Sequence, residues 1–271
     1  MAKSNFEYVR DFEHETRCLP NTWIVVRIDG KGFHRFADLH DFVKPNDTRG
    51  LTLMARAAAD VMFEFTDVII SFGHSDEFSF VFRKNTAVFN RRAEKLSSLV
   101  TSLFSSSYVF HWNDHFPDTK LRYPPAFDSR IVLYPTDENM KDYLSWRQAD
   151  VHVNNLYNLS FWSLVLKGGL KPCEAELKLR GTLASDKNEL LFQEFGINYN
   201  QEPPMFRKGT TLLRKSVDFL GKGKRTIVMP YYCDIIKKDF WDTHPELLKQ
   251  GKAGSVEFHE GMEFFEIKKC S

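Results

Sequence analysis

The sequence predicts an α+β protein with a ferredoxin-like core, in which strands and helices follow the order β-α-β-β-α-β. Four short runs rich in β-branched and aromatic residues are typical of strands. Two longer segments carry apolar residues at every third or fourth position, as amphipathic helices do. The second and third strands are separated only by residues 73–77, too few for a helix, so these strands form an antiparallel pair.

The core elements follow one another without a long gap. A charged segment with helical tendency, 1–19, precedes them. We predict a strand over 23–28, a helix over 51–65 that begins after Lys44-Pro45-Asn46-Asp47, strands over 67–72 and 78–82, a helix over 89–103 and a strand over 130–134. A polar stretch at 112–125 precedes the fourth strand.

A helical and β-hairpin extension follows this core. We predict helices over 143–166, 172–180 and 185–195, a loop over 196–204, strands over 205–219 and 225–236 joined by a glycine-containing loop, and a last helix near 240–250. We expect residues 1–140 to form the core and residues 141–271 to pack on it as one unit.

Composition excludes several classes of protein. The net charge of +1 argues against a general polycation, so any nucleic-acid binding must use local basic patches. The four cysteines form no CxxC pair, which fits a reducing compartment. No apolar run reaches the ~18–20 residues of a membrane helix, and the first residues resemble neither a secretory signal nor a mitochondrial presequence. We expect a cytoplasmic protein that needs no membrane, and a mitochondrial association stays open.

Two carboxylates stand out at strand ends. Asp29 follows the first apolar run, and Asp76 lies in the turn between the second and third strands. If the third strand inserts between the first and second, this turn lies beside the end of the first strand. Paired carboxylates and the Gly30 carbonyl could then hold divalent cations. Glu77 is a further ligand or a partner for a basic residue. The alternative is that both aspartates are ordinary turn residues.

Other polar clusters allow two interpretations each. Basic residues concentrate in 83–95 and 205–226, where they bind polyphosphate or simply face solvent. His152 and the asparagines at 154, 155 and 158 form a buried network or recognise nucleobases. The glycines at 30 and 32 do not match a dinucleotide-binding loop, because Arg35 stands where the third glycine belongs.

Motifs through most of the chain resemble the tRNA-histidine guanylyltransferase family. They include RIDGKGFHRF (27–36), KPND (44–47), GHSDEFSFVF (73–82), FNRR (89–92), YPPAFDSR (123–130), KDYLSWRQAD (141–150), VNNLYN (153–158), SDKNELLF (185–192) and INYNQEP (197–203). The resemblance implies a polymerase palm-like catalytic core and a homotetramer. It also implies an enzyme that uses ATP and GTP to add a guanylate to the 5′ end of histidine tRNA.

The resemblance also assigns residues. It implies that Asp29, the Gly30 carbonyl and Asp76 hold two Mg²⁺ ions per active site, with Glu77 as a third catalytic carboxylate. The nucleotide triphosphate would contact residues 29–34 and 75–76, namely Asp29, Gly30, Lys31, Gly32, Phe33, His34, Ser75 and Asp76, together with Lys44 and Asp47. Phosphate or tRNA contacts would come from Arg27, Arg92, Lys95, Arg130, His152, Asn155, Lys187 and Asn188.

Two other functions compete with this one. A nucleotide cyclase of the GGDEF kind has a similar core, but residues 74–78 keep only the last three letters of that signature. A non-catalytic RNA-binding protein could use the same sheet, although it would not need carboxylates at both strand ends.

Overall fold

A computed structural model describes residues 4–219, 223–249, 254–257 and 261–266. The strands are β1 (Trp23–Gly30), β2 (Val68–His74), β3 (Glu77–Phe82), β4 (Phe127–Tyr134), β5 (Thr210–Phe219), β6 (Gly223–Tyr231) and β7 (Gly254–Glu257). The helices are α1 (Phe33–Leu39), α2 (Thr48–Glu64), α3 (Ala93–Phe110), α4 (Trp112–His115), α5 (Asp137–Leu166), α6 (Pro172–Leu179), α7 (Ala184–Phe195), α8 (Pro204–Lys208) and α9 (Lys238–Thr243).

The strands form one sheet in the order β4-β1-β3-β2-β5-β6, and β7 pairs with β5. The first four strands have the predicted ferredoxin-like arrangement, with β3 inserted antiparallel between β1 and β2. The sheet then continues into the C-terminal half, because β5 pairs with β2. The expected domain boundary at residue 140 falls inside α5.

Alternation along β1 divides the core between the two faces of the sheet. Ile24, Val26 and Ile28 pack on one side with α2 and α3. Trp23 and Val25 pack on the other side with α5 and α9. A strand buried on both faces appears in the sequence as a continuous apolar run, which explains why the first strand shows no polar alternation.

The α2 start was predicted correctly. Asp47 is its N-cap, and the carboxylate accepts hydrogen bonds from the backbone N–H groups of Val43 and Arg49, each at 2.9 Å. Burial alone would raise the pKa of Asp47, but hydrogen bonds from Arg49 and from these backbone groups lower it overall.

Several sequence predictions were wrong in detail. Residues 33–39 form α1, which was not predicted. Residues 205–208 are helical, because Pro204 suits the first turn of a helix and Gly209, at φ 72°, ends it. β6 ends at Tyr231 rather than 236, and the last helix is the short α9 followed by a 3₁₀ turn over Pro245–Leu247. Of the predicted loop over 220–224, residues 220–222 lie outside the described ranges, and Gly223 and Lys224 begin β6.

The sequence also missed structure in segments expected to be irregular. The polar stretch after residue 110 contains α4, and the charged C-terminal segment contributes β7. The charged N-terminal segment contains a 3₁₀ helix, Glu7–Phe12. Across the described ranges, no helix combines the length and apolarity that a bilayer crossing requires.

Gln148 of α5 joins the helix to two segments of the C-terminal half. Its amide nitrogen donates to the carbonyls of Lys208 (2.8 Å) and Cys233 (2.9 Å), and its amide oxygen accepts from the N–H of Ile235 (2.8 Å). The side chain is buried, so all three backbone groups depend on it.

We expect Gln148→Leu to lower the free energy of unfolding by about 3 kcal/mol, because buried backbone groups would lose their partners. Urea denaturation measures the change. Gln193→Leu, at an exposed position of α7, is the matched control and should change stability by less than about 0.5 kcal/mol. Equal effects of the two substitutions would contradict a structural role for Gln148.

Candidate active site

The end of β1 and the β2–β3 turn form one unit. Asp29 pairs in register with Glu77 of β3, and the Gly30 N–H donates to the Asp76 carbonyl at 3.0 Å. Ser75 begins the turn with a positive φ of 55°. The topology therefore brings Asp29 and the Asp76 turn together, as the sequence predicted.

Two glycines are required by close packing behind this unit. A Cβ on Gly30 would lie 2.2 Å from the Phe33 ring, and a Cβ on Gly73 would lie 2.2 Å from the Phe78 ring. No side chain fits at such a distance, so both positions need glycine. The apolar rings thereby support the backbone directly beneath the carboxylates.

Asp76 carries a charge that the protein does not neutralise. Burial raises the pKa of the Asp76 carboxyl, and the nearby Asp29 raises it further. Within the described ranges, no Lys, Arg or His side chain forms an ion pair with Asp76. A carboxylate in this position is suited to a cation that comes from outside the chain.

Glu77, in contrast to Asp76, is paired with basic side chains of the protein. It forms ion pairs with Arg27 of β1 and with Arg147 of α5, the latter with an Nη1–Oε2 distance of 3.3 Å. Burial raises the pKa of Glu77, and the two arginines offset this only in part. Of the two roles considered for Glu77, the geometry shows the partner of basic residues.

A cavity of 720 Å³ opens over this unit, a size typical of small-molecule sites. Asp29, Asp76 and Glu77 lie on one side of it, and the α1–α2 connection with Lys44 and Asp47 lies on another. The α5 wall contributes the side chains of Arg147, Asp150, Val151, Asn154, Tyr157, Asn158, Phe161 and Trp162. Acidic, basic and aromatic groups therefore converge on one space.

The donor set determines what this cavity can hold. Among the described residues, no three His, Cys, Asp or Glu side chains are arranged as a metal site. A cation here would rest on two carboxylates, the Gly30 carbonyl and oxygens from a ligand or water. Such incomplete sets of hard oxygen donors are typical of Mg²⁺ sites that also bind substrate phosphates.

The chain matches two family models that together cover most of its length. Residues 6–135 match the model described as tRNAHis guanylyltransferase, and residues 138–239 match the Thg1 C terminal domain. The chain belongs to the tRNAHis guanylyltransferase family.

Full-length relatives agree with this membership. The probable tRNA(His) guanylyltransferase of Drosophila melanogaster is 58% identical over 257 residues, which cover 95% of this chain and 89% of that protein. The human protein of the same description is 53% identical, covering 92% of this chain and 90% of its own length. The tRNAHis guanylyltransferase family comprises nucleotidyltransferases, so the match places this chain among enzymes.

Two solved structures share the fold. The crystal structure of tRNA(His) guanylyltransferase from Saccharomyces cerevisiae has a TM-score of 0.75 at 49% identity, covering 77% of this chain and 93% of that chain. A bacterial Thg1-like protein in complex with ATP has a TM-score of 0.71 at 19% identity, covering 92% of this chain and 98% of that chain. These likenesses confirm the predicted α+β, palm-like core.

Most residues predicted to bind nucleotide in this family member surround the cavity. They are Asp29, Phe33, His34, Lys44, Asp47, Ser75 and Asp76. Gly30, Lys31 and Gly32 form the adjoining turn, where the Lys31 N–H donates to the Ala126 carbonyl at 2.8 Å. Phe33 packs mainly into the core, because its ring stacks on Phe36 with centroids 4.9 Å apart.

The predicted phosphate and tRNA contacts are spread over the molecule. Arg92 and Lys95 do not line the cavity but line a separate groove with the N-terminal segment. Arg130 is exposed on β4. Arg27 is ion-paired to Asp29 and Glu77.

The predicted contacts of the C-terminal half do not line the cavity themselves, although two of them contact residues that do. Asn155 is buried and hydrogen-bonds Asn46 and Tyr199. The His152 ring packs on Tyr199, with centroids 5.3 Å apart. The Lys187 amino group donates to the Thr182 carbonyl and hydroxyl, and the Asn188 amide donates to the Ala184 carbonyl.

Sequence reasoning missed most of the α5 wall. One signal was present: Asn154 and Asn158 are four residues apart and share a helix face, and Tyr157 and Phe161 have the same spacing. Their rings are nearly parallel, at 12° with centroids 6.4 Å apart. Arg147 could not be found this way, because its role depends on contact with Glu77 from a distant strand.

We expect Asp76→Asn to raise the free energy of unfolding of metal-free protein at pH 7. Folding raises the pKa of Asp76, so the folded protein holds the carboxyl proton more tightly than the unfolded chain does. This group therefore stabilises the protein most below its unfolded-state pKa of 3.8, and that stability is lost as pH rises through the folded-state pKa. The amide avoids that loss, so the gain should vanish toward pH 4. Thermal denaturation with a chelator between pH 4 and pH 8 measures it.

Asp128→Asn is the control, because this carboxylate lies opposite Asp29 on β4 with 62% of its side chain exposed. It should change stability little at any of these pH values. Added Mg²⁺ should stabilise the wild type more than Asp76→Asn, since only the wild type keeps both carboxylates. A stability gain that persists at pH 4 would contradict the electrostatic explanation.

Proposed function

We propose that this chain adds one guanylate to the 5′ end of histidine tRNA, with ATP and GTP as its nucleotide substrates. The observation that carries the proposal is the placement of Asp29 and Asp76 on one side of the 720 Å³ cavity, in a member of the tRNAHis guanylyltransferase family. The relatives' names supply the reaction, and the cavity supplies a place for its nucleotides.

The reaction has two transfers. In the first, an oxygen of the tRNA 5′-phosphate attacks the α-phosphorus of ATP, and pyrophosphate leaves. In the second, the GTP 3′-hydroxyl attacks the 5′-phosphate of the tRNA, loses its proton, and AMP leaves. The nucleophile belongs to a substrate in both steps, a phosphate oxygen in the first and a ribose hydroxyl in the second, so no side-chain nucleophile is required.

The residues fit a divalent cation, held by Asp29, the Gly30 carbonyl and Asp76. When bound, Mg²⁺ lowers the pKa of the attacking hydroxyl and neutralises charge on the phosphoryl group. We propose two ions per active site, as the family resemblance implies. The rest of the machinery is supplied by side chains of the chain itself.

Lys44 and the α5 wall are placed to orient a nucleotide. The Lys44 amino group lies 2.8 Å from Asp38 and 5.5 Å from the centre of the Trp162 ring, so it is held between two elements that face the cavity. His34 is 84% exposed at its side chain and can reach a phosphate. The aromatic rings of α5 offer flat surfaces for bases, since stacking accepts any base.

The body of the tRNA would extend beyond the cavity that holds its 5′ end and the nucleotides. We propose that Arg92, Lys95 and Arg130 contact its backbone, with His152, Asn155, Lys187 and Asn188 supporting the surface around α5 and α7. Arg27 and Glu77 serve the site by positioning its carboxylates. We also propose a homotetramer, which light scattering tests. We propose a cytoplasmic location, and cell fractionation distinguishes it from the mitochondrial association that the sequence leaves open.

We expect Asp29→Asn and Asp76→Ala to reduce guanylate addition more than about a hundredfold, since even outer partners of metal ligands typically account for about ten- to a hundredfold. The assay uses 5′-monophosphorylated histidine tRNA, ATP, GTP and Mg²⁺, and follows growth of the 5′ end by one nucleotide. Asp128→Asn is the control. Near wild-type activity of either variant would refute the site, and a cyclic dinucleotide formed from GTP alone would favour a cyclase.

We expect Arg92→Ala to raise the KM for tRNA about three- to tenfold while the KM for GTP stays unchanged, because Arg92 lines a separate groove and not the cavity. The slope of log affinity against log salt should fall by about one, the value for one lost phosphate contact. Lys238→Ala, on an exposed turn of α9 with 87% of its side chain exposed, is the control. A change in the KM for GTP would count against this placement.

A further inference from the structure

A buried arginine links α5 to the carboxylate end of the sheet. The Arg147 side chain is 6% exposed, and its Nη1 lies 3.3 Å from Glu77 while its Nη2 lies 2.5 Å from Asp150. The guanidinium also covers the Trp146 ring at 4.0 Å. Its planar fork is therefore fixed on three sides, a geometry that a lysine could not reproduce.

The contact continues from Glu77 to Asp29. Glu77 pairs with Arg27, and the Arg27 Nη2 lies 3.6 Å from the Asp29 Oδ2. Arg27 is thus shared between two carboxylates on adjacent strands and is closer to Glu77. The Arg27 guanidinium and an incoming cation compete for the same carboxylate at Asp29.

Arg27 and Arg147 leave a guanidinium nitrogen without a hydrogen bond, whereas Arg56 uses all three of its nitrogens. The Nε atoms of Arg27 and Arg147 are buried without a hydrogen-bond partner in the described part of the chain. Arg56 on α2 differs, because its Nε, Nη1 and Nη2 donate to His111, the Glu266 carbonyl and Asp60. Buried unpaired donors are unfavourable for stability, and Arg83, outside the cavity lining, also has one. Arg27 and Arg147 are therefore held less completely than Arg56.

We infer that Arg147 is a positioning residue that, by anchoring Glu77, holds the Arg27 guanidinium mainly on Glu77 and limits its pairing with Asp29 to the 3.6 Å contact, so that Asp29 can still accept a divalent cation. The inference rests on the proposed function for the identity of the cation site. Without Arg147, Glu77 loses its anchor on α5, and the Arg27 guanidinium can shorten its existing 3.6 Å contact with Asp29. The C-terminal half of the chain thereby controls a site whose ligands all come from the N-terminal half.

The test is Mn²⁺ binding, measured by the electron paramagnetic resonance signal of the free ion. We expect Arg147→Met to weaken Mn²⁺ binding about tenfold, within the range for outer-shell partners of metal ligands. Arg147→Lys should be intermediate, because it keeps the charge but loses the fork. Arg56→Met, which removes a buried arginine on the other side of the sheet, should lower stability and leave Mn²⁺ affinity unchanged.

A second substitution separates positioning from simple destabilisation. Arg27→Met combined with Arg147→Met should restore Mn²⁺ affinity to at least the wild-type level, because no guanidinium then competes for Asp29. Thermal denaturation verifies that each variant is folded. Wild-type affinity in Arg147→Met, or no recovery in the folded double variant, would overturn the inference.

The outcome can be distinguished from failure of the proposed function. Wild-type protein that binds Mn²⁺ but adds no guanylate to histidine tRNA would refute the proposed reaction, and the Arg147 comparison would still be decided by the Mn²⁺ titration. Guanylate addition by the wild type together with unchanged Mn²⁺ affinity in Arg147→Met would refute the positioning role alone.

Discussion

The hydrogen bond from the Gly30 N–H to the Asp76 carbonyl is the constraint on which the site depends. It closes the end of β1 against the β2–β3 turn and so fixes Asp29 beside Asp76. The pairing of β1 with β3 continues along the strand. The buried rings of Phe33 and Phe78 pack behind the turn and support its backbone. The sheet therefore holds two like charges together at a cost that packing offsets.

Helix α5 packs around the joined end of β1 and the β2–β3 turn and uses a different face for each of three contacts. One face packs on the sheet through Tyr143, whose hydroxyl lies 2.6 Å from that of Ser79. Another face holds the C-terminal segments through Gln148. A third face forms the wall of the cavity. Because one 30-residue helix serves all three purposes, it cannot shift to improve one contact without changing the other two.

The sequence was sufficient for the features that follow from periodicity and connection rules. Apolar runs and a short turn predicted the four core strands and their order, and the order placed Asp29 near Asp76. It failed where tertiary contact decides. Arg91, in a basic cluster that suggested polyphosphate binding, instead donates to the carbonyls of Cys18, Lys84, Thr86 and Thr22. The strand β7 depends on pairing with distant β5. No local pattern encodes such partners.

The pairing of β5 has a consequence for association between molecules. Residues 210–213 pair with β2, and beyond the start of β2 the same edge pairs with β7 through residues 215–218. A long strand with a bare edge would offer its backbone to a neighbouring chain. The short C-terminal strand covers that edge, and on the opposite border β4 presents the exposed charges of Asp128 and Arg130. Residues remote from the chemistry thus protect the sheet against aggregation.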